Sequence, residues 1–371
     1  MKILELTTYS AGGCGVWARV KRESSSLADR GHTVKVFSTS FTKGASTLAP
    51  LNDSIGKVTI QRFPATRLGG ESFTYWNFSS EARKYNPDLI IAHAYRHTHT
   101  TRALKIAREL NIPVFLVTHA PFDRDSTRSM FAKIAVFIYD LLIGPNTLPH
   151  FKKIIAITQW ELPYLKKIGA RSSQLSLIPN GITSEFFKPL IQGGKGIAYT
   201  GRIAPIKNLE LVIKALARIG KSAPSFKLLG PAEQSYLNNL HAQIKNLHSP
   251  LTLHNKVYMS SEQIAFLDAS DYFILPSLSE GMPQALVEAM ARGKIVIASD
   301  NKGNTDIIKN GKNGFLFKNN NLSSLLSILN KVFTLNQRDK KRIRKEARAS
   351  AEFYKWDVLA RKLNSLILQE R

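Results

Sequence analysis

Short β-branched runs alternate along the chain with longer stretches whose apolar positions recur every three to four residues. This alternation predicts strand–helix units feeding parallel sheets, an α/β fold. Strands are expected at residues 2–8, 33–38, 88–92, 114–118 and 154–158, and a second series at 197–200, 226–229, 251–254, 272–275 and 295–298. Between the series lie Ile178-Pro179-Asn180-Gly181 and then Phe187-Lys188-Pro189-Leu190-Ile191-Gln192-Gly193-Gly194, turn-rich segments that mark a domain boundary. The expected parts are a Rossmann-like domain at 1–185, a second at 186–352, and a helix at 353–371 packing back on the first. Two doubly wound domains facing each other would place a ligand cleft between the carboxyl ends of their sheets.

One apolar pattern stands apart. Phe131, Ile134, Ala135, Phe137, Ile138, Leu141 and Leu142 give residues 130–143 a wide apolar face, which reads as a core helix of the first domain. Were that face exposed, Arg124, Arg128 and Lys133 beside it would suit a bilayer surface and a lipid-linked acceptor. Lys133 and Asp140 interrupt the run, and the opening Met1-Lys2-Ile3-Leu4-Glu5-Leu6 is too short for a signal peptide, so a soluble or peripheral protein is expected. The single cysteine, Cys14, excludes an intrachain disulfide framework and a cysteine-built zinc site, which makes the cytoplasm the default compartment.

Charge changes this picture more than composition does. Against 27 acidic residues stand 52 basic ones, a formal net charge of +25. The excess is diffuse: 24 basic against 13 acidic residues up to Glu185, and 28 against 14 beyond it. Nucleic acid, an anionic bilayer and plain solubility each fit such a surface.

Candidate chemistry begins after the first strand. Ala11-Gly12-Gly13-Cys14-Gly15-Val16-Trp17-Ala18 satisfies G-x-G-x-x-A at Gly13, Gly15 and Ala18. The second strand, however, ends in Thr39 and Ser40 without the carboxylate that holds a dinucleotide ribose, which argues against a nicotinamide cofactor. A tight strand-to-helix turn is the plain alternative; either way, small residues there allow close backbone approach.

Three segments of the second half carry more. Thr200-Gly201-Arg202-Ile203-Ala204-Pro205-Ile206-Lys207-Asn208 follows a strand, so Arg202 and Lys207 either clamp a diphosphate or decorate a basic surface. In Pro276-Ser277-Leu278-Ser279-Glu280-Gly281-Met282-Pro283, Glu280 lies on a helix entry loop, and Glu288 follows inside the helix. Gln284, Glu288 and Arg292 recur every fourth residue and could form a solvated stripe, yet the helix is otherwise apolar or small, which favours a ligand-facing Glu288. In Asp300-Asn301-Lys302-Gly303-Asn304-Thr305-Asp306, the backbone N–H groups of Gly303, Asn304 and Thr305 could receive phosphate or sugar oxygens.

Together, S-E-G-x-P-x-x-L-x-E-A-M-A-x-G around Glu280 and Glu288, G-R-I-x-x-x-K-N at Arg202 and Lys207, and I-P-N-G-I at Ile178 resemble retaining glycosyltransferase family 4, along nearly the whole chain. The resemblance implies the GT-B fold, an acceptor-side first domain and a donor-binding second. It implies a hexosyl transfer from a GDP- or UDP-linked sugar to an acceptor hydroxyl on a lipid or growing glycan, with no metal and no cofactor. By the same match Arg202 and Lys207 neutralise the donor diphosphate, Glu280 contacts the sugar, Glu288 holds the ribose, Gly12 and Gly13 approach phosphates and acceptor, and His119 lines the site near the sugar. Many members carry Gly-Gly followed by Glu where this chain has Gly303-Asn304 and Asp306, and residues 63–102 match no known acceptor motif.

Other features are set aside. Asp123-Arg124-Asp125 spells D-x-D, but that short match belongs to a different strand-loop context. His97 and His99 have no zinc spacing, so with His93 they are expected to line the cleft or the surface. Nucleic acid is not expected as a partner; an anionic membrane surface is a candidate one. Two other classes stay open: a nonenzymatic anion-binding protein, and a nucleotide-sugar hydrolase or epimerase on the same fold.

Overall fold

The first strand, β1 (Lys2–Tyr9), is buried from Ile3 onward, as a parallel strand covered on both faces must be, and Glu5, Thr7 and Thr8 are the exceptions to its apolar run. It belongs to a computed structural model that describes residues 1–68, 71–121, 130–189, 194–244 and 251–370. The chain divides into two units, Met1–Asn180 with Val358–Arg371, and Gly181–Asp357.

In the first unit β1 is followed by β2 (Thr33–Thr39), β3 (Asn52–Ile55), β4 (Val58–Phe63), a short hairpin of β5 (Ala65–Arg67) and β6 (Thr74–Trp76), β7 (Leu89–His93), β8 (Val114–Val117), β9 (Lys153–Ala156) and β10 (Leu175–Leu177). The sheet order is β10-β9-β8-β7-β1-β2-β4-β3, parallel except for β3 on β4. Strand order reverses between β1 and β7, so the loops leaving those two strands frame a ligand crevice. The helices are α1 (Gly15–Asp29), α2 (Ser79–Tyr85), α3 (Thr98–Leu110), α4 (Met130–Ile138), which runs through a π-helical turn at Tyr139–Ile143 into α5 (Gly144–Thr147), and α6 (Glu161–Lys167).

The second unit repeats the plan with β11 (Ile197–Thr200), β12 (Phe226–Leu229), β13 (Leu251–His254), β14 (Tyr272–Leu275), β15 (Ile295–Ser299) and β16 (Phe315–Phe317). The order β13-β12-β11-β14-β15-β16 is parallel throughout and reverses between β11 and β14. Its helices are α7 (Leu209–Ile219), α8 (Gln234–Ile244), α9 (Ser260–Asp268), α10 (Gln284–Ala291), α11 (Lys302–Thr305), α12 (Leu322–Phe333) and α13 (Gln337–Ala351). The expected strands are all present; β3, β4, β10 and β16 extend the sheets beyond them.

The chain leaves the first unit between Asn180 and Gly181, not at 185, and returns between Asp357 and Val358, not at 352. The cause of the first shift is Arg19, which donates to the carbonyls of Ile178 (2.8 Å) and Pro179 (3.0 Å) and to Asn180 Oδ1 (3.2 Å) and so ties that turn to α1. Beyond it, Ile182 already pairs with Lys355 of the second unit. The last helix, α14 (Trp356–Leu368), enters the first unit, where Lys362 Nζ donates to Leu177 O at 2.9 Å and Asn364 Oδ1 meets His32 Nε2 at 2.8 Å.

Residues 130–143 are not a core helix. Phe131 is 85% exposed, Phe137 61% and Leu141 60%. The continuous helix Met130–His150 is the one described segment long and apolar enough, by length and composition, to cross a membrane. Apolar periodicity marks a face that leaves water, and it is silent about whether that face meets a core. Asp123-Arg124-Asp125 lies outside the described residues, as do Arg124 and Arg128 of the expected basic flank.

Candidate functional site

The reversal in the second unit places two loops side by side. Gly201 and Arg202 leave β11, and Ser277 to Gly281 leave β14. Lys207, on the turn Pro205–Lys207, reaches Glu280, with Nζ to Oε1 at 2.6 Å and side chains 18% and 12% exposed. Both charges therefore stand at the carboxyl end of the sheet in a partly dehydrated setting. Arg202 is different: its guanidinium is 61% exposed and pairs with Glu233 at 3.1 Å. The buried Tyr199 hydroxyl donates to Arg202 O at 2.7 Å, and burial together with the Glu280 charge pushes that phenol well above its ordinary range.

Glu288 is buried on α10, its Oε2 accepting from Gln263 Nε2 at 2.6 Å, while the same amide donates to Thr200 Oγ1 at 3.1 Å. The solvated stripe is thereby overturned. Arg292 is buried too and ion-pairs with Asp268 (2.6 Å), not with Glu288. A buried carboxylate is retained here because Gln263 satisfies one oxygen while the helix stands behind the β11 and β14 loops.

Gly303 packs against the Glu280 loop so closely that a Cβ would lie 2.5 Å from Glu280 O. The expectation for its neighbours is corrected: the N–H groups of Asn304 and Thr305 are held by Asn301 O, at 3.1 and 3.0 Å, and Asn301 Oδ1 also caps Asn304 N. Those donors close the first turn of α11. Ser277 Oγ, Gln284 Nε2 and Asn304 Oδ1 are buried in the same region and have no hydrogen-bond partner among the described residues.

In the first unit the two loop glycines separate in role. Gly12 has φ +81° and a Cβ there would meet Lys43 O at 2.2 Å, so it serves the close approach of the two strand-end loops. Gly13 has nothing within 4 Å of its Cβ position and is the open side of the loop.

His119 follows β8 with φ 61°, and its Nε2 lies 3.1 Å from His93 Nδ1 at the end of β7. His93 Nε2 in turn lies 3.3 Å from Glu5 Oε2 and 4.0 Å from Glu23 Oε1, and Arg19 Nε donates to Glu23 Oε2 at 2.9 Å. The result is a buried chain from the site inward: His119, His93, Glu5 and Glu23, closed by Arg19. Burial, and for Glu5 also the Glu23 charge, raises both carboxyls; burial and neighbouring positive groups hold His93 and His119 well below the usual imidazole range. His99 is not at the surface: it is buried, with Nε2 on His93 O at 2.7 Å. His97 Nδ1 meets Thr8 Oγ1 at 2.9 Å.

Glu5, Glu23 and His93 offer ligand atoms within 4.8 Å of one another, a donor set of the kind that holds a metal ion. Arg19 brings one positive charge to Glu23, and burial together with the Glu23 charge favours the protonated form of Glu5. Glu161, which no motif marked, orders the site from below: its carboxylate accepts from Thr118 Oγ1, Ala120 N, Ile157 N and Thr158 N at 2.5 to 3.0 Å, joining the loops after β8 and β9. A carboxylate inside a strand was the available signal, since Glu5 breaks the apolar run of β1.

Two Rossmann-like parallel sheets in one chain match the GT-B fold of the solved glycosyltransferases that this chain resembles. Residues 182–350 match the glycosyl transferases group 1 family and residues 14–186 match glycosyltransferase family 4. The chain is 27% identical to the Escherichia coli UDP-Gal:alpha-D-GlcNAc-diphosphoundecaprenol alpha-1,3-galactosyltransferase, over 64% of this chain and 65% of that one. It is 26% identical to the Streptococcus pneumoniae alpha-monoglucosyldiacylglycerol synthase, over 84% and 73%. Among solved structures, Anabaena HepE in complex with UDP-glucose superposes with a TM-score of 0.75 at 18% identity, covering 100% of both chains. The chain belongs to the group 1 glycosyl transferases of glycosyltransferase family 4.

Proposed function

We propose that this protein transfers a hexosyl unit, with retention of anomeric configuration, from a GDP- or UDP-linked sugar to a hydroxyl of a lipid-borne acceptor or growing glycan. The observation that carries the reading is the Lys207–Glu280 pair at the switch point of the second unit. Departure of a nucleoside diphosphate builds negative charge on phosphate oxygens, and a preoriented ammonium stabilises that charge more in the transition state than in the ground state. Lys207 is held ready by Glu280; Arg202, exposed and on a weak surface pair, is free to swing onto the diphosphate at little cost. Glu280 then faces the sugar and Glu288 the ribose; in the first unit His119, backed by His93, is the candidate site residue.

Retention follows from attack on the leaving-group face, with the departing phosphate taking the acceptor proton, so no glycosidase-type carboxylate pair is required. With Lys207 and Arg202 supplying the positive charge, the transfer runs without metal. The names of the two relatives, which carry diphosphoundecaprenol and diacylglycerol, support a lipid-borne acceptor. The workplace is the cytoplasm, at the inner face of the membrane. Titration calorimetry with UDP, GDP, ADP and NAD tests the reading. One of UDP and GDP should bind in the micromolar range, with Glu288→Ala weakening it; no binding by any of the four would refute a donor site and favour a nonenzymatic anion binder. Donor turnover with no glycosylated product would instead identify a hydrolase or epimerase.

A further inference from the structure

We infer that the outer face of Met130–Ile143 is a docking surface that lies in the headgroup region of an anionic lipid bilayer. The inference deepens the lipid-borne acceptor of the proposed function by naming the element that meets the lipid. Phe131, Ile134, Phe137, Ile138, Leu141 and Leu142 form one continuous stripe, each between 48% and 85% exposed. A stripe of this length exceeds what scattered surface hydrophobics produce and marks an interaction surface.

The orientation of the stripe is held from the opposite side. Asp140 pairs with Arg96 through two hydrogen bonds of 2.8 and 2.5 Å, and Tyr139 packs edge-on against Tyr95 at 5.7 Å between ring centroids. At Gly144 a Cβ would lie 2.8 Å from the Tyr95 hydroxyl and 3.2 Å from Ile168 O, so the helix is seated with the polar and small face inward. The apolar face is what remains.

Lying on the bilayer, not crossing it, follows from topology. β8 and β9 enter and leave this helix and pair in parallel, Phe115 with Lys153 and Val117 with Ile155. A membrane crossing would put those neighbours on opposite sides of the bilayer. An amphipathic helix lying in the interface leaves the sheet intact.

Charge selects an anionic lipid as occupant. Beyond the stripe, where the helix Met130–His150 ends, Arg108, Lys152 and Arg171 line a cavity of about 320 Å³. Glu370, shared by Lys152 and Lys153, is the acid paired with those lysines. Lys133 adds an exposed cation within the stripe, and the chain as a whole carries +25. Apolar side chains beside cations match acyl chains beside phosphate headgroups.

The test is co-sedimentation of the full chain with vesicles of phosphatidylethanolamine and phosphatidylglycerol, and with phosphatidylcholine vesicles, in the absence of donor. Binding is expected to the anionic vesicles, several-fold weaker on phosphatidylcholine and at about 0.5 M salt. Combining Phe131→Ser, Phe137→Ser and Leu141→Ser should lower the vesicle partition coefficient at least about tenfold, with an unchanged thermal midpoint because all three side chains are exposed. In Phe137→Trp, the indole emission should be quenched by brominated acyl chains. The inference is overturned if the wild type stays in the supernatant, if the triple variant pellets like the wild type, or if the indole is not quenched. It is also overturned if the face proves to be a contact between two copies, seen as a dimer mass that the triple variant abolishes without any vesicle binding. No step of the assay uses a nucleotide sugar, so its failure is separate from a failure of the transferase reading.

Discussion

Replacing Arg19 with methionine should destabilise the first unit by up to about 5 kcal/mol at pH 7, and by distinctly less in mild acid. Arg19 and Glu23 have fully buried side chains, so the substitution strands a carboxylate where water cannot reach it. The carboxylate escapes by taking a proton. From an ordinary value of 4.5, staying protonated at pH 7 costs about 3.4 kcal/mol, which caps the charge part of the loss. The carbonyls of Ile178 and Pro179 also lose a donor, adding roughly 1 to 2 kcal/mol. At pH 5.5 the charge part shrinks to about 1.4 kcal/mol while the carbonyl part stays.

The sign holds in the wild type as well. Glu5 and Glu23 are raised in the fold, so their contribution is full below the unfolded value and is lost as pH rises through the folded one. The assay is urea unfolding of Arg19→Met against wild type at pH 7.0 and about pH 5.5. A second variant, Arg19→Met with Glu23→Leu, should recover most of the loss at pH 7, because no buried charge remains. A single-variant loss below about 1 kcal/mol, or one independent of pH, would refute the stranded-carboxylate argument.

Other consequences can be checked by equally direct measurements. Gly12→Ala should cost at least about 2 kcal/mol, from the left-handed backbone and the contact with Lys43 O, whereas Gly13→Ala should leave unfolding within about 0.5 kcal/mol of wild type; equal losses would sink the division of roles. Lys207→Met should lower turnover by roughly 100- to 1000-fold with only a small change in thermal midpoint, and kinetics near wild type would remove the lysine from the chemistry. His97 is held down to about 4 by burial and by the Lys43 charge, so its contribution is present above 6.5 and lost as pH falls toward 4. Relative to wild type, His97→Gln should therefore gain about 1.6 kcal/mol between pH 6.5 and 5, and parallel stability curves would contradict the burial argument.

The carboxyl-half motifs were legible because their chemistry is local. Arg202, Lys207, Glu280 and Glu288 each stand within a few residues of a strand end or helix start, and an alternating pattern places such loops at one edge of a sheet. The cluster beneath His119 was not. Glu5, Glu23, His93 and His119 come from a strand, a helix, another strand end and a loop, and only parallel pairing of β1 with β7 and of β7 with β8 brings them together. Arg19 gave no local sign that it would bind the turn at Ile178, 159 residues away.

By itself, then, the amino-acid order determined the strand–helix alternation, the two sheets and the loops that end their strands, since these depend on periodicity and turn chemistry within short windows. Tertiary structure decided which charges meet. It turned Glu288 inward onto Gln263, gave Arg292 to Asp268 instead, used the Asn304 and Thr305 amides for a local cap, and left the apolar stripe of Met130–Ile143 facing outward. The physical reason is common to all four: hydrophobic periodicity and charge spacing specify which face of an element is apolar or charged, while the partner of that face is chosen by contacts far apart in the chain.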